Sequence, residues 1–416
     1  MRVEIINTGS ELMLGFVLNT HQQWLCRQFS DLGLNVDRQV AIHDDGVSIQ
    51  QAVKEAVQRA ELVITTGGLG PTSDDITRDL VAQLFGLSLK EDPRIIADIS
   101  EFFARRSRPM PASTRVQAMV PEGALVLWNH HGTAPGLALP TPRGWLVMLP
   151  GPPRELRPMF RDQLIPLLSK WFPTPATFAC HSLKTTGLGE SFVEELIAPA
   201  LSSLVDQGVS IGYCARIGEV DVRLTARGED SSELVAEAVI VTRRLLGERV
   251  FSETQEDLAA VIVRLLTVNS HTLAIAESCT GGYVANRITN VPGASSVFLA
   301  GLVTYSNAAK TDFLGVRPST LEKHGAVSEA TALEMATGVR NRTGATYALS
   351  LTGIAGPSGG TAEKPVGTVF VGFASPEGSI VQRFLYQYDR ETFKFCASQQ
   401  ALDLLRRGLS QSKVSM

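Results

Sequence analysis

Thr272-Leu273-Ala274-Ile275-Ala276-Glu277-Ser278-Cys279-Thr280-Gly281-Gly282 is a short apolar run that stops in a polar turn closed by two glycines. An apolar run of this length bounded by turn residues predicts a buried strand, here Thr272 to Ala276, and the pattern after Gly282 predicts a helix. Ser278 then lies on a strand-to-helix turn, with its hydroxyl near a helix N-terminus whose free N–H groups stabilise an oxyanion or bind phosphate. A serine that merely caps the helix is the alternative at any single turn of this kind.

Two further junctions bear on that choice. Gly301-Leu302-Val303-Thr304-Tyr305-Ser306-Asn307-Ala308-Ala309-Lys310 brings a Tyr hydroxyl and a Lys to the same kind of sheet edge. No His lies near either motif, so a serine nucleophile would need Lys310 as its base. Burial can lower a lysine pKa far enough for that role, with Tyr305 relaying or orienting the proton; a solvated helix surface is the commoner fate of a Lys. Thr352-Gly353-Ile354-Ala355-Gly356-Pro357-Ser358-Gly359-Gly360-Thr361 is a glycine-rich loop leaving a strand. It reads either as backbone that approaches a substrate phosphate or as a plain flexible turn.

Working outward, strands at Val297 to Thr304, Tyr347 to Leu351, Thr368 to Phe373 and Ile380 to Leu385 alternate with helices, from a helix starting at Gln255 to a last one at Glu391 to Arg407. This predicts an α/β domain over 253–416. The first segment, 1–172, repeats the alternation: strands at Val3 to Asn7, Val36 to Ile42 and Leu62 to Thr66, helices near Asn19 to Leu32 and Ser48 to Arg59. Helices at Asp79 to Phe85 and Pro93 to Arg105, strands at Ala124 to Trp128 and Gly144 to Leu149, and a helix from about Glu155 to Trp171 complete it. The expectation is a parallel sheet covered on both faces. Pro173 and Pro175 mark a linker to a small α+β layer over 173–252, with strand Cys180 to Thr186, helix Ser191 to Leu204, strands Val209 to Cys214 and Glu219 to Ala226, and helix Ser232 to Leu246.

Composition limits the function. A net charge of -4 with no long basic run disfavours nucleic acid as the main ligand. Five scattered cysteines, never spaced as C-x-x-C, fit neither a disulfide framework nor a zinc knuckle and predict a reducing cytoplasm. The chain enters a strand pattern at Val3 without an apolar leader, and no stretch approaches the ~18 apolar residues of a membrane span, so neither export nor insertion is expected.

The N-terminal segment has its own constellation. The strand ending at Thr66 runs into Gly67-Gly68-Leu69-Gly70-Pro71-Thr72-Ser73-Asp74-Asp75, with Thr77 and Asp79 opening a helix. Glycines admit phosphate while clustered carboxylates repel it unless a divalent cation intervenes, which suggests a metal-assisted phosphate site; an Asp-capped turn is the alternative. His130-His131 is read as a loop pair, because adjacent side chains rarely chelate one metal.

Glu277-Ser278-Cys279-Thr280-Gly281-Gly282, Val303-Thr304-Tyr305-Ser306-Asn307, Gly325-Ala326-Val327-Ser328 and Gly353-Ile354-Ala355-Gly356-Pro357 resemble the CinA family of competence/damage-inducible proteins. The resemblance spans the chain. It implies a MogA/MoaB-like three-layer domain (1–172), a KH-like connecting domain (173–252) and a CinA amidohydrolase domain (253–416). For the last it implies metal-free hydrolysis of nicotinamide mononucleotide to nicotinic acid mononucleotide and ammonia. Ser278 would be nucleophile, Lys310 base and Tyr305 its assistant. Glu277, Thr280, Gly281, Gly282, Asn307, Gly353, Ala355, Gly356 and Arg390 would bind substrate. One departure is Lys394, where the family often shows an Arg beyond Asp389-Arg390, and Lys cannot make a bidentate phosphate contact. For the N-terminal domain the resemblance implies ADP-ribose pyrophosphatase activity at Gly67, Gly68, Gly70, Asp74, Asp75, Asp44, Glu11 and Asn129. Asp44 and Asp75 would hold a divalent metal, with potassium as a further option. Thr8-Gly9-Ser10-Glu11, Gly132-Thr133-Ala134-Pro135-Gly136 and Pro150-Gly151-Pro152-Pro153-Arg154-Glu155 match further family loops. The expected assembly is a cytoplasmic homodimer engaged in pyridine-nucleotide salvage, without membrane or nucleic-acid partners. The competing readings are a competence or DNA-repair binding protein with degenerate pockets, and a molybdopterin-binding protein.

Overall fold

The computed structural model describes residues 1–172, 177–254 and 256–411. Pro173 and Pro175, read above as the linker, and Gln255, read as a helix start, lie outside them. The chain packs as two compact units, Met1–Phe178 and Ala179–Met416. Among the described residues no helix is long and apolar enough to cross a membrane.

In the first unit the order is β1 (Val3–Thr8), α1 (Ser10–Met13), α2 (Thr20–Asp31), β2 (Val36–Ile42), α3 (Gly46–Arg59), β3 (Leu62–Thr66), α4 (Thr77–Phe85), β4 (Leu89–Glu91), α5 (Pro93–Ala104), β5 (Met119–Pro121), β6 (Leu125–Leu127), β7 (Gly136–Pro140), β8 (Trp145–Leu149), α6 (Pro153–Met159) and α7 (Ile165–Trp171). Six strands form one sheet in the order β2-β1-β3-β8-β7-β6. Successive strand residues face opposite ways. Val3, Ile5, Leu62, Ile64, Val147 and Leu149 therefore pack against Leu25 and Phe29 of α2 and Leu156 and Met159 of α6. Ile6, Val63, Leu146 and Met148 pack on the other face against Ile49 and Val53 of α3 and Val81 of α4. The result is the three-layer sandwich expected.

Two expectations are corrected. The sheet is mixed, because β7 runs antiparallel to β8 and β6 antiparallel to β7. Strand β7 was hidden in a Gly- and Pro-bounded apolar run, and its short connection to β8 permits only an antiparallel return. The single helix expected from Glu155 to Trp171 is broken by a π turn at Phe160–Leu164. Pro158 and Pro166 each remove a backbone donor, so a continuous α ladder cannot form.

The second unit opens with an α+β layer: β9 (Phe178–Thr186), α8 (Glu190–Asp206), β10 (Ser210–Arg216), β11 (Glu219–Arg227), α9 (Ser231–Leu246) and β12 (Val250–Ser252), in the sheet order β10-β11-β9-β12. Strand β12, three residues long, escapes a period-2 reading. Then follow α10 (Leu258–Val268), β13 (Leu273–Glu277), α11 (Tyr283–Thr289), β14 (Phe298–Val303), α12 (Asn307–Leu314), α13 (Pro318–His324), α14 (Glu329–Thr343), β15 (Tyr347–Gly353), β16 (Thr368–Ser375), β17 (Gly378–Leu385) and α15 (Arg390–Gln411).

The sheet order of this last part is β14-β13-β15-β16-β17, parallel across β14, β13 and β15, then antiparallel. Leu273, Ile275, Leu349 and Leu351 face Val284 and Ile288 of α11, Ile262 of α10 and Ala397 and Leu405 of α15. Ala274, Ala276, Ala348 and Ala374 face Met335, Ala336 and Val339 of α14. These small side chains let α14 lie close, and Ser350 donates 2.6 Å to its Ala332 carbonyl. The chain leaves β13 toward β14 on one side and returns in β15 on the other, so the carboxyl end of β13 is a topological switch point, where α/β sheets place their ligand crevices.

Candidate functional site

Ser278 follows β13 immediately. Its backbone is pinned on both sides: the Ser278 N–H donates 2.9 Å to Leu351 O, and Thr304 N–H donates 2.8 Å to Glu277 O. Glu277 shares a face with Leu273 and Ile275 and therefore points toward α11. Its carboxylate, 1% exposed, accepts from Gly282 N (3.0 Å), Val284 N (3.1 Å) and Ala285 N (2.8 Å). These are donors that a helix start leaves without intrahelical partners. Glu277 is thus the cap of α11 and not the substrate contact expected of it, while Ser278 is relieved of capping. Gly281 and Gly282 both hold positive φ (63° and 94°), which turns the chain between Ser278 and α11. No carbonyl or carboxylate among the described residues accepts from the Cys279 and Thr280 amides. Thr280 itself is fully buried and its hydroxyl has no partner among the described residues.

Lys310 lies on α12, whose start is capped by the Ser306 hydroxyl accepting 3.1 Å from Ala309 N. The Lys310 side chain is 1% exposed. Its Nζ donates to Thr304 O (2.8 Å) and Tyr305 O (3.1 Å) and lies 3.1 Å from Ser278 Oγ. Burial lowers its pKa, opposed weakly by Cys279. Among the described residues no carboxylate pairs with it. Two carbonyls occupy two N–H groups, so a neutral amine keeps its lone pair for the Ser278 hydroxyl. Burial pushes the neighbouring Cys279 thiol up to about 12, which leaves it protonated and inert at neutral pH.

Tyr305 meets the dyad through its carbonyl. Its hydroxyl, on an exposed side chain, accepts 3.0 Å from Arg390 Nη2, and Arg390 Nη1 donates 3.0 Å to Gly356 O. Arg390 opens α15 and lines a cleft of about 360 Å³ with Tyr283, Glu391 and Lys394. Lys394 Nζ stands 5.6 Å over the Tyr283 ring and shares a wall of the cleft with Arg390. Tyr283 was missed; its place directly after the glycine pair was the available signal. Asn307 is exposed at the first position of α12, Gly353 ends β15, and Ala355 is buried beside Gly356.

The first unit carries a second cavity, of about 330 Å³, at the carboxyl ends of β1 and β3. The chain order β2-β1-β3 makes this a switch point as well. Glu11, Asp44, Gly67, Gly68, Gly70, Asp74 and Asp75 all line it. Asp44 accepts 2.7 Å from Ser10 N. Asp75 accepts 2.9 Å from Thr72 N and also takes the Thr72 hydroxyl. A Cβ at Gly70 would lie 2.3 Å from Asp75 Oδ2, so any larger residue there would displace this carboxylate. Asn129 is corrected to a supporting residue: it is buried and its Nδ2 donates 2.7 Å to Glu155 Oε2, and it is Glu155 that lines the cavity. Burial raises the Glu155 pKa, against the Asn129 hydrogen bond. Glu155 was read only as part of a Pro-rich loop. His130 and His131 are exposed outside the cavity lining. Among the described residues no group of three or more His, Cys, Asp or Glu is arranged around a metal position.

Residues 255–409 match the CinA C-terminal domain, residues 4–170 the model described as "Probable molybdopterin binding domain", and residues 181–252 the damage-inducible protein CinA KH domain. A CinA-like protein of Akkermansia muciniphila is 42% identical over 405 residues, covering 97% of this chain and 96% of that protein. One of Kosmotoga olearia is 42% identical over 414 residues, covering 98% and 99%. The crystal structure of a competence/damage inducible protein from Agrobacterium tumefaciens is 41% identical, covering 37% of this chain and 93% of that one, with a TM-score of 0.36.

Proposed function

The chain belongs to the CinA family, and we propose that its C-terminal site is a serine amidohydrolase that converts nicotinamide mononucleotide to nicotinic acid mononucleotide and ammonia. The observation that carries this reading is a buried Lys310 amine 3.1 Å from Ser278 Oγ with no carboxylate among the described residues to hold it charged. Lys310 takes the hydroxyl proton as Ser278 attacks the carboxamide carbon. The Cys279 and Thr280 amides meet the oxyanion. The Lys310 ammonium then gives this proton to the carboxamide nitrogen, and the C–N bond breaks to release ammonia and leave an acyl ester on Ser278. Water, giving its proton to the amine again, hydrolyses the ester. Arg390 and Lys394 supply positive charge for the 5′-phosphate, and the Tyr305 hydroxyl holds Arg390 in place. Purified protein should release ammonia from nicotinamide mononucleotide and Ser278→Ala should not; equal inactivity of the two refutes the proposal. Five free cysteines support a reducing cytoplasm as the setting.

For the first unit we propose a metal-dependent ADP-ribose pyrophosphatase. Five carboxylates line its cavity, and the lining residues include no Lys or Arg. A pyrophosphate would be repelled there without a cation. Mg²⁺ is commonly held by one or two carboxylates together with substrate phosphates, and this donor set fits that mode better than an all-protein cage. Asp44 and Asp75 are the residues that would hold it, and the ion would polarise the phosphate being attacked. Glu155, whose pKa burial raises, lines the same cavity as the group to exchange a proton with water. Hydrolysis of ADP-ribose with and without divalent metal tests this. Tight binding of molybdopterin without hydrolysis would favour the alternative that the matched domain description offers.

A further inference from the structure

The helix that follows the nucleophile is held at both ends. Glu277 grips its start, and Arg287 grips something else near its end. Arg287 Nη1 donates 2.7 Å to Ser398 Oγ, and Nη2 donates 2.7 Å to Gln399 Oε1, both on α15. The Ser398 hydroxyl in turn donates 2.7 Å to Phe395 O, which fixes its lone pairs toward Arg287. The Gln399 amide Nε2 donates 2.7 Å to Glu219 Oε1, at the start of β11 in the α+β layer and 180 positions away in the chain. Ser398, Gln399 and Glu219 are all at least nine-tenths buried. Further along α15, Arg406 Nη2 donates to Glu248 O of the same layer.

Burying a guanidinium is costly unless a carboxylate compensates it. Burial lowers the Arg287 pKa, and the carboxylates that oppose this are Asp257 and Glu219. Glu219 accepts the Gln399 amide and so turns the Gln399 oxygen toward Arg287, on the helix whose other end is fixed by the residue preceding Ser278. The same Gln399 sits nine positions after Arg390 on α15, about 14 Å along a rigid helix, so the contact also sets the register of the residue that faces the substrate cleft.

We propose that Glu219, on the β10–β11 hairpin, is a positioning residue for the Ser278 site, acting through Gln399 and Arg287 on the nucleophile helix and on the helix that presents Arg390. The connecting layer is thereby a working part of the C-terminal catalytic unit. This rests on Ser278 being the nucleophile, and the test separates the two claims. A serine-directed fluorophosphonate, which phosphonylates an activated serine with loss of fluoride, reports Ser278 reactivity without any substrate. Ammonia release from nicotinamide mononucleotide is followed in parallel on the full chain. Glu219→Ala and Gln399→Leu should each slow labelling at least about tenfold, a modest share of the ~10²-fold that a 1 Å misplacement can cost. The double variant should add little, because both break one relay. Glu219→Gln, whose amide oxygen accepts the same bond, should label within about threefold of wild type. Wild-type labelling rates in Glu219→Ala and Gln399→Leu, or additive losses, overturn the proposal. If Glu219→Ala does not fold, Gln399→Leu and Glu219→Gln decide it. Wild-type labelling without ammonia release sinks the substrate assignment alone, whereas a wild type that never labels at Ser278 sinks both.

Discussion

Replacing Glu277 by Gln isolates one consequence of the geometry. The carboxylate accepts three amide donors, two on Oε2 and one on Oε1. A Gln carbonyl placed at the Oε2 position keeps two bonds in weaker, uncharged form, at a loss of about 1 kcal/mol altogether. Its NH₂ then faces the Ala285 N–H, and orphaning that buried donor costs about 1–3 kcal/mol. The total, about 2–4 kcal/mol, should lower the melting temperature of the second unit by about 4–16 °C at ~2–4 °C per kcal/mol for a unit of this size. Scanning calorimetry measures the shift, and ammonia release measured well below the new transition gives kcat and KM. The cap reading requires a clear loss of stability and a fall in kcat, because the turn behind Ser278 loosens. Unchanged melting with a raised KM would refute it and restore Glu277 as a substrate contact.

Lys310→Met, close in length but unable to take a proton, should reduce ammonia release at least about 10³-fold while nicotinamide mononucleotide still protects the unit against heat. In the wild type, kcat/KM should climb with pH and level off below the ordinary lysine value of about 10.4, because burial lowers the Lys310 pKa. The folded state releases this proton at lower pH than the unfolded chain does. Stability should thus rise with pH across that same window in wild type and not in Lys310→Met; a climb that begins only above the ordinary value contradicts the assignment. Arg390→Ala loses charge-assisted contacts worth about 1.5–3 kcal/mol, so KM should rise roughly 10–100-fold with a smaller change in kcat. For the first unit, Asp75→Asn or a chelator should abolish ADP-ribose hydrolysis and leave deamidation untouched; an enzyme indifferent to both has no metal at that cavity.

The two sheets that carry the sites were readable from their apolar runs, because β1, β3, β13 and β15 are buried on two faces and announce it in composition. Strands β7 and β12 were not, being short and bounded by residues that also make loops. The Ser278, Lys310 and Asp75 assignments came from strand-end motifs and resemblance, and the fold brings Ser278 and Lys310 within hydrogen-bonding reach. Glu277 was misjudged although the clue was present: counting by twos from Leu273 through Ile275 puts it on the α11 side. Glu155 and Tyr283 were overlooked because their importance depends on which cavity the loop bends into. Nothing in a linear pattern relates Glu219 to Gln399, since that contact arises only when two layers pack.

Glu277 and Ser278 are consecutive, yet one serves the helix on one face of the sheet and the other the amine on the opposite face. Their separation is a matter of parity and not of distance. Substitutions along β13 leave that parity intact, whereas inserting or deleting a single residue between Ala274 and Ser278 exchanges the two faces, offering a carboxylate to the lysine and a hydroxyl to three amides. Conservative exchanges at the apolar positions of β13 should therefore be borne far better than any change of length, and libraries built to vary it should hold the count, Glu277 and Ser278 fixed.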